Sequence, residues 1–370
     1  MTGARTVRAL VVEAPGRAVV REVPDPALAD GGFRVRTLAS GVSMGTELTW
    51  YRGTNPALTS SWDPELGLFR PGEPAQAYPV ERFGYMQVGL VEASRFAPVP
   101  EGARVAMTYG HRTGHTTGAG GGLAERAVLL PDALPDRLGT LVAHLGPICA
   151  NGLLHAAADA GPVHGLGDGV AGRLVLVTGA GPVGLVTALF ARALGAREVA
   201  VADADPRRRE LAGRMGFLPL DLDEDPGRVL KTRWRHGPGD HGADVVFQCR
   251  GKPQALHAAL RAVRPQGSVI DLAFYTAGAD AVRLGEEFHH NGLSLRCAQI
   301  GRVPRGLAHT WDRQRLSAET IRLLAAHGGE IREHLISDVV PFDEAPALMQ
   351  DVVVRRRHVL TAVFVVDDPR

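Results

Sequence analysis

Three glycines in the middle of the chain have the spacing that brings a backbone close to a diphosphate. Gly179, Gly181 and Gly184 form a Gly-x-Gly-x-x-Gly motif between an apolar strand-like run and a helix-like run. The first glycine permits a tight turn, the second admits a pyrophosphate, and the third lets the helix pack against the strand. Pro182 and Val183 begin that helix, whose free N–H groups face the phosphates. The motif in this context predicts a dinucleotide site.

The next strand ends on an acidic residue that indicates which dinucleotide binds. Asp203 can accept hydrogen bonds from the adenosine ribose hydroxyls and repel a 2′-phosphate. NAD(H) is therefore expected rather than NADP(H). Arg207, Arg208 and Arg209 follow closely, and an arginine here could instead hold a 2′-phosphate, or the three could form the solvated first turn of a helix. Among them, Arg208 is counted as a cofactor-binding candidate.

Further cofactor contacts are expected where later strands of this region end. The carboxyl ends of strands line the dinucleotide crevice in a parallel sheet of this kind. One strand ends at Cys249 and Arg250, and another ends at Leu272, Ala273 and Phe274. Cys249 and the latter three residues therefore join the expected cofactor site.

The elements that position these residues change in character along the chain. Residues 1–145 contain short β-branched runs bounded by Gly and Pro, which predict a β-rich domain with a long loop at 52–80. Residues 146–302 alternate strands with helices, which predicts an α/β domain with a doubly wound parallel sheet. Residues 303–370 are too short to fold alone, so we expect them to complete the first domain.

Composition excludes several classes of function. The chain has 370 residues, 45% of them hydrophobic, with a formal net charge of +1. This balance, without a basic stripe, predicts no nucleic-acid partner. No signal-peptide core or apolar run long enough for a membrane span is present. Three widely spaced cysteines favour a reduced cytoplasm, and the excess of arginine over lysine is typical of a GC-rich bacterial genome.

The order of these parts resembles the medium-chain dehydrogenase/reductases, the superfamily of alcohol dehydrogenases and quinone reductases. The resemblance covers nearly the whole chain and implies a GroES-like catalytic domain, split between the two ends, beside a Rossmann domain. It implies hydride transfer between a nicotinamide dinucleotide and a small-molecule substrate, and a homodimer formed through the strand LSLRCAQIG. In motif, the Gly-Thr-Glu stretch is most similar to the branch of bacteriochlorophyllide dehydrogenases.

The resemblance ends at the positions that hold the catalytic zinc of many family members. The first ligand, a cysteine, falls on Ser43 or Met44, and the second, a histidine, falls on Tyr85. The third falls on Ile148 or Cys149. Tetrahedral zinc needs thiolate, imidazole or carboxylate ligands, and the four clustered cysteines of the family's structural zinc lobe are missing. We therefore expect no zinc and no other metal.

Without a metal, four residues of the β-rich domain are candidates for catalysis. Thr46 matches the family's proton-relaying Ser or Thr, and Glu47 could orient it or simply bond to backbone. Tyr85 could donate a hydrogen bond to an oxyanion, or it could fill the vacated metal cavity. His111 could act as an acid or base near neutral pH, or it could be a surface loop residue.

Three further residues are candidates for substrate binding. Arg112 could bind a carboxylate or phosphate, and His115 lies in the same Gly-rich segment. A metal shared by His111 and His115 would require a helix, against which the surrounding glycines argue. Asn151 lies on the helix that enters the second domain, and the resemblance places the start of this helix near the nicotinamide.

These residues predict a zinc-independent, NAD(H)-dependent oxidoreductase that interconverts an alcohol and a ketone. The many polar candidates suggest a hydroxylated substrate such as a sugar, a cyclitol or a natural-product intermediate of secondary metabolism. Two alternatives stay open. One is a zinc-free enoyl or quinone reductase, a branch that typically prefers NADPH and against which Asp203 argues. The other is a dinucleotide-binding protein without catalysis, against which Thr46 and Glu47 argue.

Overall fold

Two compact units make up the structure. The computed structural model describes residues 4–118, 127–276 and 278–366. The β unit contains the residues up to His144 together with those from Ile336 onward, and the α/β unit contains Leu145–Leu335. The first and last segments of the chain thus form the β unit, and the segment between them forms the α/β unit.

The β unit consists mostly of antiparallel strands. Its strands are β1 (Arg5–Ala14), β2 (Arg17–Asp25), β3 (Phe33–Val42), β4 (Ser60–Asp63), β5 (Leu68–Pro71), β6 (Gln87–Ser94), β7 (Arg104–Met107), β8 (Gly114–Thr116), β9 (Val128–Leu129) and, after the return, β18 (Ile336–Pro341) and β19 (Thr361–Val365). Its helices are α1 (Glu47–Arg52), α2 (Asp136–Gly139) and α9 (Ala345–Val353). Among the described residues, one sheet has the order β18-β19-β3-β6-β7-β9, and β8 also pairs with β3.

The returning segment adds one interior strand, β19, and one edge strand, β18, to this sheet. Strand β19 pairs antiparallel with β3, with Val363 opposite Gly41 and Phe364 opposite Ser40, and it pairs parallel with β18 on its other side. Its first four residues are buried. The chain on either side of the α/β unit therefore forms one core, in which Phe364 is fully buried beside Phe83 and Leu48.

The α/β unit is built on a parallel sheet flanked by helices. Its strands are β10 (Leu174–Thr178), β11 (Glu198–Asp203), β12 (Leu218–Asp221), β13 (Arg235–Gly237), β14 (Asp240–His241), β15 (Ala243–Gln248), β16 (Val263–Asp271) and β17 (Ser294–Cys297). Its helices are α3 (Leu145–Ala160), α4 (Pro182–Ala193), α5 (Pro206–Arg214), α6 (Pro226–Arg233), α7 (Pro253–Ala262) and α8 (Arg313–His334). All five residues of β10 are buried, as expected for a strand covered on both faces.

The strand order changes direction at β10. The sheet runs β12-β11-β10-β15-β16-β17, and its neighbouring strands are parallel. The chain proceeds outward from β10 to β12 and then crosses to β15 on the other side of β10. Ligands bind at such a switch point, outside the carboxyl ends of the strands. The α/β class with a doubly wound, Rossmann-type sheet is thereby confirmed.

Helix α8 changes one domain boundary. The sequence pattern predicts an end of the α/β domain at residue 302, but α8 packs against α3 and α4, and the unit extends to Leu335. The reason is tertiary: buried residues such as Leu316 and Ile331 give α8 an apolar face. Within the described ranges, no helix is both long enough and apolar enough to cross a membrane.

Candidate active site and cofactor turn

Two buried side chains of the β unit form an acid–imidazole pair. Glu47 begins helix α1, and His111 lies between β7 and β8. The Glu47 Oε2 and His111 Nε2 atoms are 2.8 Å apart, and the two side chains are 1% and 0% exposed. The structure therefore excludes the interpretation of His111 as a surface loop residue and that of Glu47 as a partner of backbone alone.

A chain of hydrogen bonds indicates one set of donor and acceptor roles within this pair. The Tyr109 N–H donates to Gln87 Oε1 (3.1 Å), so the Gln87 amide donates from Nε2 to Ser40 Oγ (3.1 Å). The Ser40 hydroxyl lies 2.7 Å from His111 Nδ1 and can donate its proton there. In this arrangement His111 carries its proton on Nε2 and donates it to Glu47.

The imidazole of His111 is held by close packing. The Phe83 and Phe364 rings contact it edge-on, with centroids 5.2 and 5.3 Å away. Gly84 has φ +92°, and a Cβ atom there would lie 2.6 Å from His111 Nε2. Both the backbone angle and the space therefore require glycine at position 84. The close packing of the His111 ring thus restricts position 84, directly before Tyr85, to glycine.

Tyr85 lies against the same pair. Its hydroxyl hydrogen-bonds with the side chains of Ser43 and Thr46, and its ring packs against His144 with centroids 4.3 Å apart. Burial and, secondly, the negative charge of Glu47 raise the pKa of Tyr85 to about 12, although the two hydroxyl partners act in the opposite direction. Tyr85 therefore stays protonated at neutral pH and can donate a hydrogen bond.

One carboxylate oxygen of Glu47 is buried without a hydrogen-bond partner. Its Oε1 atom is buried and has no hydrogen-bond partner, while Oε2 receives the His111 proton. A buried carboxylate oxygen without a donor is unfavourable, so a ligand hydroxyl that donated to Oε1 would be bound favourably. The cluster thus combines an acceptor on Glu47 with a donor on Tyr85, and it unites the predicted catalytic residues Thr46, Glu47, Tyr85 and His111.

The residues at the family's zinc positions do not fit that metal. Ser43 and Tyr85 hydrogen-bond to each other, and the pKa of Tyr85 is raised rather than lowered. Burial raises the pKa of the Cys149 thiol to about 12, which disfavours the thiolate that zinc requires. In the described part of the chain, no three His, Cys, Asp or Glu side chains converge as a metal-binding group.

His115 lies in β8, which pairs with the first half of β3, and Arg112 lies just before β8 and bridges to Ala9 of β1. The His115 ring stacks on Tyr109 at 5.0 Å, and burial lowers the pKa of His115 to about 4, so the ring is neutral. Arg112 is buried with its Nε unpaired, and burial followed by the nearby Arg82 lowers its pKa. Their neighbours are Tyr109, Arg82 and Asp25. A substrate-binding role for either residue stays a prediction.

Asn151 connects helix α3 to the segment after β17. Its Nδ2 is shared among the carbonyl oxygens of Ala298, Gln299 and Arg302, at 3.1–3.3 Å. Its Oδ1 is buried and has no partner. These hydrogen bonds give Asn151 a structural role. Its contact with a ligand, which the unpaired oxygen would permit, stays a prediction.

The glycine motif forms the turn between β10 and α4. Gly179 has φ +100°, and a Cβ atom there would lie 2.8 Å from the Cβ of Arg250. A Cβ at Gly184 would lie 1.8 Å from the Gly179 oxygen. Gly181 is the N-cap of α4, which begins at Pro182 with Val183 next. The motif thus forms the strand, turn and helix that a dinucleotide site requires.

Asp203 is held by the protein at both carboxylate oxygens. Its Oδ2 accepts from the Ala180 N–H at 2.8 Å, and its Oδ1 accepts from the Asp205 N–H and from Arg250 Nη1, each at 2.9 Å. The ion pair with Arg250 was not predicted from the sequence. The signal lies in the strand order, because β11 and β15 flank β10 and their carboxyl ends meet beside its turn.

The remaining cofactor candidates lie at the ends of β15 and β16. The Cys249 N–H donates to Thr178, and burial raises the pKa of the Cys249 thiol. The Ala273 N–H donates to Asp271. Leu272 also lies at this end, and Phe274 is about half exposed there. The sheet brings all four candidates to the expected edge, and their contact with a dinucleotide stays a prediction.

Comparison with known proteins shows that the chain is similar to dehydrogenases. Residues 182–312 match the family described as zinc-binding dehydrogenase. The chain is 26% identical over 344 residues to D-guloside 3-dehydrogenase of Escherichia coli, covering 92% of this chain and 94% of that one. It is 35% identical over 183 residues to L-threonine 3-dehydrogenase of Pyrococcus abyssi, covering 49% and 46%.

A solved structure shows the same fold over nearly the whole length. Alcohol dehydrogenase TADH from Thermus sp. ATN1 is similar with a TM-score of 0.72 at 22% sequence identity. The similarity covers 97% of this chain and 100% of that one. The fold of this chain, with a β-rich unit and a parallel-sheet unit, is therefore similar to the fold of that alcohol dehydrogenase.

Proposed function

Since the chain belongs to the medium-chain dehydrogenase/reductase superfamily, we propose that it is a zinc-independent, NAD(H)-dependent dehydrogenase. Its substrate is a polar, hydroxylated small molecule, on which it interconverts an alcohol and a ketone. Two relatives named as dehydrogenases of a D-guloside and of L-threonine support a hydroxylated substrate. Asp203, at the end of β11, supports NAD(H) as the preferred dinucleotide.

The observation that carries this proposal is the cluster of Tyr85, Thr46, Glu47 and His111. Alcohol oxidation must remove a proton from oxygen and a hydride from carbon. The unpaired Oε1 atom of Glu47 accepts the proton of the alcohol, directly or through the Thr46 hydroxyl. NAD⁺, when bound, would supply the acceptor for the hydride, so that the carbon–oxygen double bond forms as the proton and the hydride leave the alcohol.

The hydrogen-bond chain behind Glu47 suits this proton transfer. His111 donates to Oε2, so Oε1 can gain a proton while that bond remains. Tyr85 stabilises negative charge on the substrate oxygen by donating a hydrogen bond, which a tyrosine with a raised pKa does over a wide pH range. In the reverse direction, protonated Glu47 returns its proton to the alkoxide.

The proposal is tested by metal analysis combined with turnover. The purified protein is expected to contain no stoichiometric zinc and to keep its activity in a chelator. With NAD⁺, it should oxidise members of a panel of polyols, glycosides and cyclitols. About one zinc per chain whose removal abolishes activity would contradict zinc independence.

The same panel separates the alternatives. Enoyl compounds or quinones reduced faster than any ketone would favour a reductase. Dinucleotide binding with no turnover on any substrate would favour a binding protein. The paired acceptor and donor in the β unit support the alcohol–ketone reaction, because both groups serve an oxygen that gains or loses a proton.

A further inference from the structure

A cavity of about 400 Å³ lies on the α/β unit, bordered by α6, the last turn of α7 and the β13–β14 ribbon. Arg261 lies just before β16 begins, and His241 lies just before β15 begins. The cavity therefore lies toward the amino ends of these strands, whereas the glycine turn follows the carboxyl end of β10. Of the described residues that line it, none is a candidate for the catalytic or the cofactor site.

Positive groups predominate in the lining of this cavity. Four of the lining side chains carry a guanidinium or ammonium group and two carry a carboxylate, which leaves two positive charges while His241 is neutral. The cations are Arg228, Lys231, Arg235 and Arg261, and the acids are Asp225 and Glu287. A concave surface lined by one sign of charge concentrates ions of the opposite sign.

Arg261 pairs with both acids of the lining. Its Nη2 lies 3.0 Å from Asp225 Oδ2, and its Nε lies 3.1 Å from Glu287 Oε1. The second oxygen of Asp225 accepts the Arg228 N–H at 3.2 Å and so caps α6. Among the described residues, the other three cations have no carboxylate within ion-pair distance. They are therefore available to an anion from solution.

Lys231 is half-buried in the lining without a partner. Nowhere in the described ranges does a hydrogen bond or ion pair engage its ammonium group. Burial lowers the pKa of Lys231, and the charges of Glu287 and Asp240 offset this only in part, because these acids pair with Arg261 and Arg264. Burying an ammonium group without a partner is unfavourable, so a bound anion would stabilise it.

Arg228 and Arg235 add donors close to Lys231. Arg228 lies three residues before Lys231 on α6, so the two cations are neighbours on the helix surface and repel each other. Arg235 donates from Nε to the Thr232 carbonyl at 3.1 Å, which leaves its Nη atoms for a ligand. Guanidinium and ammonium groups bind phosphate oxygens through charge-assisted hydrogen bonds.

We propose that this cavity binds the phosphate group of a small molecule, with Lys231 as the central contact and Arg228 and Arg235 beside it. A phosphomonoester carries a charge of about −1.5 to −2 at neutral pH, which matches the two unbalanced positive charges of the lining. It also presents three acceptor oxygens to the three unpaired cations. The volume leaves room for an organic group next to the phosphate. This site is separate from the dinucleotide site and does not rest on the proposed function.

The test is isothermal titration calorimetry of the full chain with inorganic phosphate, with acetate as the monoanion for comparison. Wild-type protein is expected to bind phosphate with a Kd of about 1 mM or below and to bind acetate at least about tenfold more weakly. Lys231→Gln should weaken phosphate binding about tenfold, the scale of one charge-assisted hydrogen bond. Lys231→Arg should keep part of the affinity. Lys252→Gln is the matched control, because Lys252 is the other lysine of the chain, exposed at the N-cap of α7 and outside the cavity lining.

Two further measurements keep the test decisive if Lys231→Gln folds poorly. Arg228→Gln changes an exposed side chain, so it should leave the fold intact and weaken phosphate binding about three- to tenfold. On wild-type protein, pyridoxal 5′-phosphate joins a phosphate to an aldehyde, which condenses with an amine and loses water, and borohydride then reduces the imine. Peptide mapping should find this label on Lys231 ahead of Lys252, and inorganic phosphate should suppress it.

The outcomes separate this inference from the proposed function. Phosphate that fails to bind wild-type protein at about 10 mM would overturn the inference. So would binding that Lys231→Gln and Arg228→Gln leave within about twofold, or that Lys252→Gln weakens as much, because phosphate would then bind elsewhere, as at the glycine turn. A label on Lys252 ahead of Lys231 would count against it equally. Turnover on the substrate panel with NAD⁺ reports on the proposed function alone.

Discussion

The hydroxyl of Tyr85 keeps its proton because burial and the charge of Glu47 raise its pKa to about 12. The protonated form is therefore fully present at neutral pH and is lost only as the pH rises through that value. Tyr85 thus serves as a hydrogen-bond donor rather than as a base. A metal ion at this place would attract a substrate oxygen by charge, whereas Tyr85 does so by a directed bond.

Replacing Tyr85 by phenylalanine removes only this donor. If the hydroxyl stabilises the substrate oxygen, Tyr85→Phe should lower kcat by roughly 10²–10³, the scale of one lost oxyanion donor. Tyr78→Phe is the control, because the Tyr78 hydroxyl donates to the Trp50 carbonyl instead. Steady-state kinetics with the best substrate of the panel measures both. A kcat within a few-fold of wild type would show that Tyr85 only fills space.

Glu47→Gln tests the proton acceptor. Glutamine can still accept the His111 N–H through its amide oxygen, so the fold should survive, but it cannot take a proton at neutral pH. We expect kcat for alcohol oxidation to fall by about 10²–10⁴, the range for general base catalysis. NADH affinity should stay unchanged, because the cofactor turn belongs to the α/β unit. Unchanged kcat would assign Glu47 a structural role.

At the scale of elements, the sequence predicts the secondary structure that depends on local residue pattern. The apolar run of β10 and the glycines after it predict the strand, the turn and the helix, since these depend on neighbours in the chain. The chain of hydrogen bonds from Gln87 through Ser40 to His111 could not be predicted from the sequence, because it depends on the register between β3 and β6. The same limit hid the Asp203–Arg250 pair, which requires knowledge of the strand order.

Gly84 packs against the His111 ring and directly precedes Tyr85 in the chain. Gly84→Ala should destabilise the β unit by about 2–4 kcal/mol, because alanine disfavours φ +92° and its Cβ would overlap the His111 ring. Urea unfolding measures the change. Gly329→Ala is the control, since Gly329 is exposed within α8 and an added Cβ meets nothing within 4 Å. It should leave stability equal or raise it by up to about 1 kcal/mol. Equal effects of both substitutions would contradict the steric account.

For the whole molecule, we propose a homodimer formed through strand β17. This strand is the edge of the parallel sheet, and Leu295 in it is 41% exposed. Exposed strand edges favour pairing with a second chain. Light scattering at micromolar concentration should give twice the chain mass, and Leu295→Arg should shift it toward the monomer. Val229→Arg, at a similarly exposed position on α6, should not. A monomeric wild type would contradict the proposal.

The pairing of β19 with β3 has a consequence for biosynthesis. A ribosome synthesises Leu145–Leu335 before it makes Phe364, whose ring packs on His111. The α/β unit can therefore fold while the chain is still being made, as domains generally do in order of synthesis. The first 144 residues must wait with β3 missing a neighbour, exposed to chaperones and proteases. On the proposed function, a message truncated before codon 361 is expected to yield a chain that binds a dinucleotide and does not turn over substrate.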